Sequence, residues 1–186
     1  MIRLLVFLLG CSWVSEAIRP IDAASPQAKM DRQSVVAQFD TLLPLAVQWA
    51  TEQEQRILRE GVPLSESEIA DAKAVGVREP QRVRLLQVAR IPRPSDPQLA
   101  AAADAIQFLS PATRGLTLNY GIFIQSDCWR ERLLVIHELV HTAQYEQLGG
   151  ILPFLRKYLF ECITIGYPEA PMEKAAMEAA AQLGSR

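Results

Sequence analysis

Two histidines and one carboxylate are the residues of this chain whose types and spacing could do chemistry. The stretch Leu133-Leu134-Val135-Ile136-His137-Glu138-Leu139-Val140-His141-Thr142-Ala143-Gln144 contains the pattern His-Glu-x-x-His and has no Gly, Pro or turn signal. It therefore predicts a helix. Residues four apart share a helix face, so His137 and His141 can grip one metal ion. Glu138 sits beside that face, where a carboxylate can take a proton from water that the metal has acidified. The chain has only two histidines, and both fall at this spacing. The alternative is an ordinary core helix whose histidines hydrogen-bond to neighbours. Against it, two imidazoles and a carboxylate among Leu, Val and Ile are costly to bury without strong partners. The motif points to Zn²⁺ and names no substrate.

A catalytic zinc site has three protein ligands and an open position. With no third histidine, the remaining ligand must be a carboxylate or, less favourably, Cys162. Two carboxylates qualify. Glu161 lies on the helix expected after the motif, and Glu173 opens the helix after that.

The elements that must position these groups follow from periodicity and turn signals. A helical pattern runs from Asp31 to Glu60, with Pro44 as a kink or as the start of a second helix capped by Asp40 or Thr41. Its charges (Glu52, Glu54, Arg56, Arg59, Glu60) read as a solvated face. Ser65-Glu66-Ser67-Glu68 is a capping box for a short helix to about Val75. Arg82–Val88 alternates as a strand. Asp96 caps and Pro97 opens an Ala-rich helix, Gln98 to Leu109. Gly115–Ile124 is a second strand candidate. Its Asn119-Tyr120-Gly121 is either a bend or part of a strand edge whose backbone binds an extended peptide. The motif helix is expected over Asp127–Leu148, stopped by Gly149-Gly150. Pro153 opens a helix to about Ile165, and Pro171 opens a last one, Met172 to about Leu183.

A short loop makes the first two of these three helices antiparallel, which puts Glu161 at the height of His141. It also leaves Cys128 roughly 18 Å from Cys162 at the helical rise per residue. That exceeds disulfide reach. No bridge between them is expected, and no cysteine in catalysis.

The stretch from Leu116 to Ala176 resembles a group of small bacterial HExxH proteins of uncharacterised activity, zincin-like domains of the gluzincin type. They are related to a domain found with extracellular toxin and peptidase-like modules. The residues that carry the likeness are His137-Glu138-Leu139-Val140-His141-Thr142-Ala143-Gln144-Tyr145, Tyr158-Leu159-Phe160-Glu161, Gly166-Tyr167 and Pro171-Met172-Glu173. The chain departs from the pattern at Ala175, where a second Glu is expected. In distantly similar zincins the first Glu of the closing motif is the metal ligand, so the resemblance implies Glu173. Glu161 instead stands at a spacing similar to that of the ligand in thermolysin-like enzymes, twenty residues after His141. Gln144 is a further hydrogen-bonding candidate, and Tyr167 is the first choice as oxyanion donor. The implied architecture is α+β and mainly helical, a zincin-like metalloprotease fold with a small β-sheet beside the HExxH helix.

Length and composition set the remaining bounds. At 186 residues with 49% hydrophobic content, the chain is long enough for one well-buried domain. We expect a signal peptide over 1–17, an exposed lead-in over 18–30 and a single domain over 31–186. That domain would consist of N-terminal helices (31–80) and a metal-site region (82–186). A net charge of −2 provides no basic field for nucleic acid. The apolar run after Arg3, followed by Ser15-Glu16-Ala17, reads as a cleaved secretory signal. Leu8-Leu9-Gly10-Cys11 offers a rival reading as a lipoprotein box, which would tie the protein to a membrane through a lipidated Cys11. The expectation is an exported, periplasmic or secreted zinc metallopeptidase acting on a peptide or protein. The alternative is a non-catalytic exported binding module stabilised by its metal.

Overall fold

The computed structural model describes residues 30–185. The expected export signal, its lipoprotein alternative and most of the lead-in lie outside the described residues. The order of elements is α1 (Arg32–Ala37), α2 (Phe39–Glu60), β1 (Val62–Pro63), α3 (Glu66–Ala74), β2 (Arg84–Val88), α4 (Pro97–Ala105), β3 (Gly115–Leu118), β4 (Gly121–Gln125), α5 (Arg132–Leu148), α6 (Ile151–Thr164) and α7 (Pro171–Gly184). This is an α+β arrangement, mostly helical, with one four-stranded mixed sheet. No helix among the described residues is long and apolar enough to cross a membrane.

The sheet runs β1-β2-β4-β3, parallel between β2 and β4 and antiparallel elsewhere. Central strand β4 is apolar on both faces, and Ile122, Phe123 and Ile124 are fully buried. One face, through Ile122, Ile124 and Leu85, packs with Val135, Leu139 and Ala143 of α5. The other, through Phe123, packs under α2, α4 and α6. α3 is fastened to the start of α5 by Arg132, which donates to both oxygens of Asp71 at 2.9 and 3.0 Å. The expected capping box is present, with Ser65 and Glu68 bonding reciprocally.

Several boundaries differ from the sequence reading, each for a local reason. The helix break falls at Gln38 and not at Pro44, which lies inside α2; neither Asp40 nor Thr41 caps it. α4 stops at Ala105, because Gln107 adopts φ +58°. α5 begins at Arg132, five residues later than expected, since Ser126–Cys128 form a 3₁₀ turn and Arg130 sits at φ +58°. Its end is as expected, with Gly149 at φ +94° in the left-handed conformation that glycine adopts without strain. α7, and to a lesser extent α6, packs along α5, while α6 turns towards α2.

The second strand candidate is a hairpin. Asn119, at φ +58°, and Tyr120 form a two-residue connection between β3 and β4. Glu54 of α2, expected on a solvated face, is buried and holds this turn. Its Oε1 accepts from Asn119 Nδ2 at 2.8 Å and from the Tyr120 N–H at 3.3 Å. Period-based reading cannot detect such a residue, because its partner lies 65 positions away. Glu54→Ala leaves two donors without an acceptor and is expected to lower unfolding free energy by roughly 1–3 kcal/mol, measured by urea denaturation. Glu54→Gln, which keeps an acceptor, should recover much of that loss.

Candidate metal centre

α5 presents His137 and His141 on one face, one turn apart, as the spacing requires. α7 runs beside α5 and brings Glu173, in its first turn, against both imidazoles. The three residues offer ligand atoms that all lie within 4.8 Å of one another. The Nε2 atoms of His137 and His141 are 3.2 Å apart. Glu173 Oε1 is 3.2 Å from His141 Nε2, and Oε2 is 3.4 Å from His137 Nε2. For zinc with ligand bonds of about 2.0–2.1 Å, the edge of the coordination tetrahedron is about 3.3–3.4 Å. The nitrogen pair matches one such edge, and each carboxylate oxygen stands at about that distance from a different nitrogen, so the group could hold a small metal ion. Glu173 Oε2 is buried and has no hydrogen-bond partner, a costly state for a carboxylate oxygen that a cation would relieve.

Neighbouring side chains set the orientation of each ligand. Gln144 Nε2 donates to Met172 O at 3.1 Å, which turns its Oε1 towards His141 Nδ1 at 2.8 Å. Nδ1–H must then be the donor, so Nε2 faces the cluster, with its lone pair towards a bound metal or with a proton towards Glu173 when no metal is bound. Tyr158 OH, buried on α6, donates to Glu173 Oε1 in a short hydrogen bond. Burial alone would raise the carboxyl pKa of Glu173. The His137 and His141 imidazoles close to its oxygens, the charge of His141 and the Tyr158 hydroxyl outweigh it and hold Glu173 well below the usual carboxylate range. Burial likewise opposes the charged form of His141, but the hydrogen bond and charge of Glu173 reverse that and push it up. In the absence of metal, then, Glu173 is an anion.

Glu161, the other candidate ligand, has a different task. Its Oε2 accepts the Met172 N–H at 2.9 Å, capping the start of α7, where Ala170 has no side-chain acceptor to offer. It thereby sets the helix that carries Glu173. Cys162 is buried, and burial together with the charge of Glu173 pushes its thiol up to about 12, so it stays protonated. Cys128 and Cys162 are both free thiols. Ala175, where the resemblance led us to expect Glu, is exposed; the supporting contacts come from Gln144 and Tyr158.

Glu138 lies in the same pocket, which has a volume of about 60 Å³ and also contains Tyr167, Gly115 and Thr117. Its carboxylate is buried against edge strand β3. Thr117 Oγ1 lies 2.6 Å from Glu138 Oε2 and 2.9 Å from the Glu138 backbone O; its single proton serves the nearer carboxylate oxygen. Gly115 makes room for the other oxygen, since a Cβ there would stand 2.3 Å from Glu138 Oε1. Tyr167 is half exposed at the pocket mouth. Burial, then the charges of Glu173 and Glu138, raise its hydroxyl to about 12, so it remains a donor at neutral pH.

Sequence reasoning thus named the residues that come together, His137, His141, Glu173, Glu138 and Tyr167, and missed Thr117, Tyr158 and Gly115 as their supports. Tyr158 stood in a quoted motif without a role. Gly115 was visible only as the start of a strand.

Metal content measured by elemental mass spectrometry should separate the carboxylates. Glu173→Ala is expected to lose the metal. Glu161→Ala should retain it, with stability lower by about 0.5–2 kcal/mol for the lost cap. Tyr158→Phe should weaken metal affinity by roughly 10–100-fold.

The chain matches no protein-family model, no curated protein and no solved structure.

Proposed function

We propose that this protein is an exported zinc-dependent hydrolase of the zincin type, most simply a metallopeptidase. The observation that carries this reading is a base held beside the metal cluster but outside it. Glu138 shares the pocket with His137, His141 and Glu173, yet its carboxylate is turned to Thr117 and fitted over Gly115. A closed structural site would have no use for such a group.

His137, His141 and Glu173 would hold a zinc ion, which would supply Lewis acidity towards water and a carbonyl oxygen. Gln144 and Tyr158 keep the ligands in register. Thr117 fixes one oxygen of Glu138, which leaves the other to accept the proton of the attacking water and to return it to the leaving amine. Tyr167, protonated at neutral pH, donates to the oxyanion that develops on the substrate carbonyl.

A peptide substrate suits β3. Gln125 N donates to Arg114 O at 2.9 Å, so the 114/125 pair is hydrogen-bonded. Antiparallel alternation then turns the backbone groups of Gly115 and Thr117 away from β4, towards the open edge. Thr117 O is used by Tyr145 OH at 3.3 Å. Gly115 keeps its N–H and C=O for an extended chain laid beside Glu138.

Glu138→Gln is expected to keep the metal and lose hydrolysis of a peptide library; activity equal to the wild type would contradict the assignment of the base. Gly115→Ala should also keep the metal. Its Cβ displaces the Glu138 carboxylate, so activity should fall by about 10²–10⁴-fold, the range of general-base catalysis.

A further inference from the structure

The accessible edge of β3 is short. Gly115 at its start and Thr113 just before it are half-buried, whereas Leu116, Thr117 and Leu118 are buried. The closure is built largely by α5. Tyr145 stands seven residues after Glu138, about two turns along the same helix face. The face that aims the base at β3 therefore sets Tyr145 against the strand as well. Its hydroxyl donates to Thr117 O at 3.3 Å, and its fully buried ring stacks on Phe154 of α6 with centroids 3.5 Å apart. Beyond Thr117 the chain turns back at Asn119-Tyr120, where Glu54 of α2 holds it. In the other direction, Thr113 lines the metal pocket and also a surface cleft walled by Arg90, Ile91, Ser110 and Gln125.

We infer that the peptide track along β3 is blind, open towards Thr113 and closed at Thr117, so that the proposed hydrolase acts on the end of a peptide and releases a terminal residue. The inference rests on the hydrolase reading and gives it a substrate class, peptides with a free end. A strand advances about 3.3 Å per residue, so Thr117 lies only about 7 Å beyond Gly115. On an antiparallel edge, a partner strand bonds to every second residue. A peptide bonded to Gly115 needs Thr117 O for its next pair, and Tyr145 has taken that acceptor. A substrate N–H pressed against it would be buried without a partner. The Glu138 carboxylate lies over Gly115, which places the bond to be cut beside Gly115 and leaves room for one residue on the closed side. The rest of the substrate runs out past Arg114 and Thr113, where the surface opens.

A peptide without ends is the decisive probe. The full chain, offered zinc, is given one short peptide sequence in four forms: free at both ends, blocked at the amino end, blocked at the carboxyl end, and cyclised head to tail. The free form should lose single residues stepwise, with one terminal amino acid as the first product in mass spectra. One of the two blocks should abolish release, which names the terminus that enters the closed end, and the cyclic form should stay intact. Hydrolysis of the cyclic form, release untouched by either block, or internal fragments as first products would overturn the blind track and leave the hydrolase. A second readout needs no turnover: the Gly115 amide resonance in the full chain carrying Glu138→Gln, titrated with the free and the cyclic peptide. A shift with the free peptide alone supports the track even where the wild type hydrolyses nothing, and the hydrolase reading then fails separately. Equal shifts with both peptides overturn the track. Absence of hydrolysis and of any shift overturns the two together.

Discussion

A carboxylate buried between two imidazoles is the constraint on which the structure turns. Glu173 is nearly inaccessible, and one of its oxygens has no hydrogen-bond partner. Three lone-pair donors converge on a space that only a positive charge can occupy favourably. Protons can serve when metal is absent, as the shifts of Glu173 and His141 indicate. A small metal ion suits the group better, because the two nitrogens and a carboxylate oxygen all lie within 4.8 Å of one another. Holding that geometry requires α5 and α7 to stay in register, and much of the surrounding structure serves that end. Glu161 caps α7, Gln144 ties His141 to the backbone of α7, and Tyr158 braces Glu173 from α6.

The second relation is between α5 and the edge strand. The motif helix alone sets the histidines; it does not set the base. Glu138 owes its position to β3, where a hydroxyl and a missing side chain two residues apart shape a seat for its carboxylate. Edge strand β3 is in turn held by the hairpin with β4, and that hairpin by a buried carboxylate on α2. A chain of ordinary structural contacts thus runs from the long N-terminal helix to the group proposed to move protons. It gives α2 a function in positioning although it contributes nothing to the metal cluster.

Much of this could be read before any coordinates, for reasons specific to each element. The ligand pair was legible because four-residue spacing on an uninterrupted apolar run has one helical meaning. Capping signals at Ser65, Asp96 and Gly149 were local and therefore reliable. Glu173 was reached by resemblance and not by spacing, whereas Glu161, which the hairpin argument favoured, lies outside the cluster and accepts from the Met172 N–H. What stayed hidden was long-range. Thr117 bonds a residue 21 positions away, Tyr158 one 15 away and Glu54 one 65 away. The hairpin within Gly115–Gln125 hinged on one left-handed asparagine, a bend that alternation alone leaves open. The resemblance carried the choice of Glu173, and the structure brings that residue against the two histidines.

The most direct test of the central claim is anomalous diffraction at the zinc edge from crystals of the full chain offered zinc. The account predicts a single strong peak bonded to His137 Nε2, His141 Nε2 and an oxygen of Glu173, with Glu138 outside bonding distance. A peak at other residues, or no peak between these three, would contradict it.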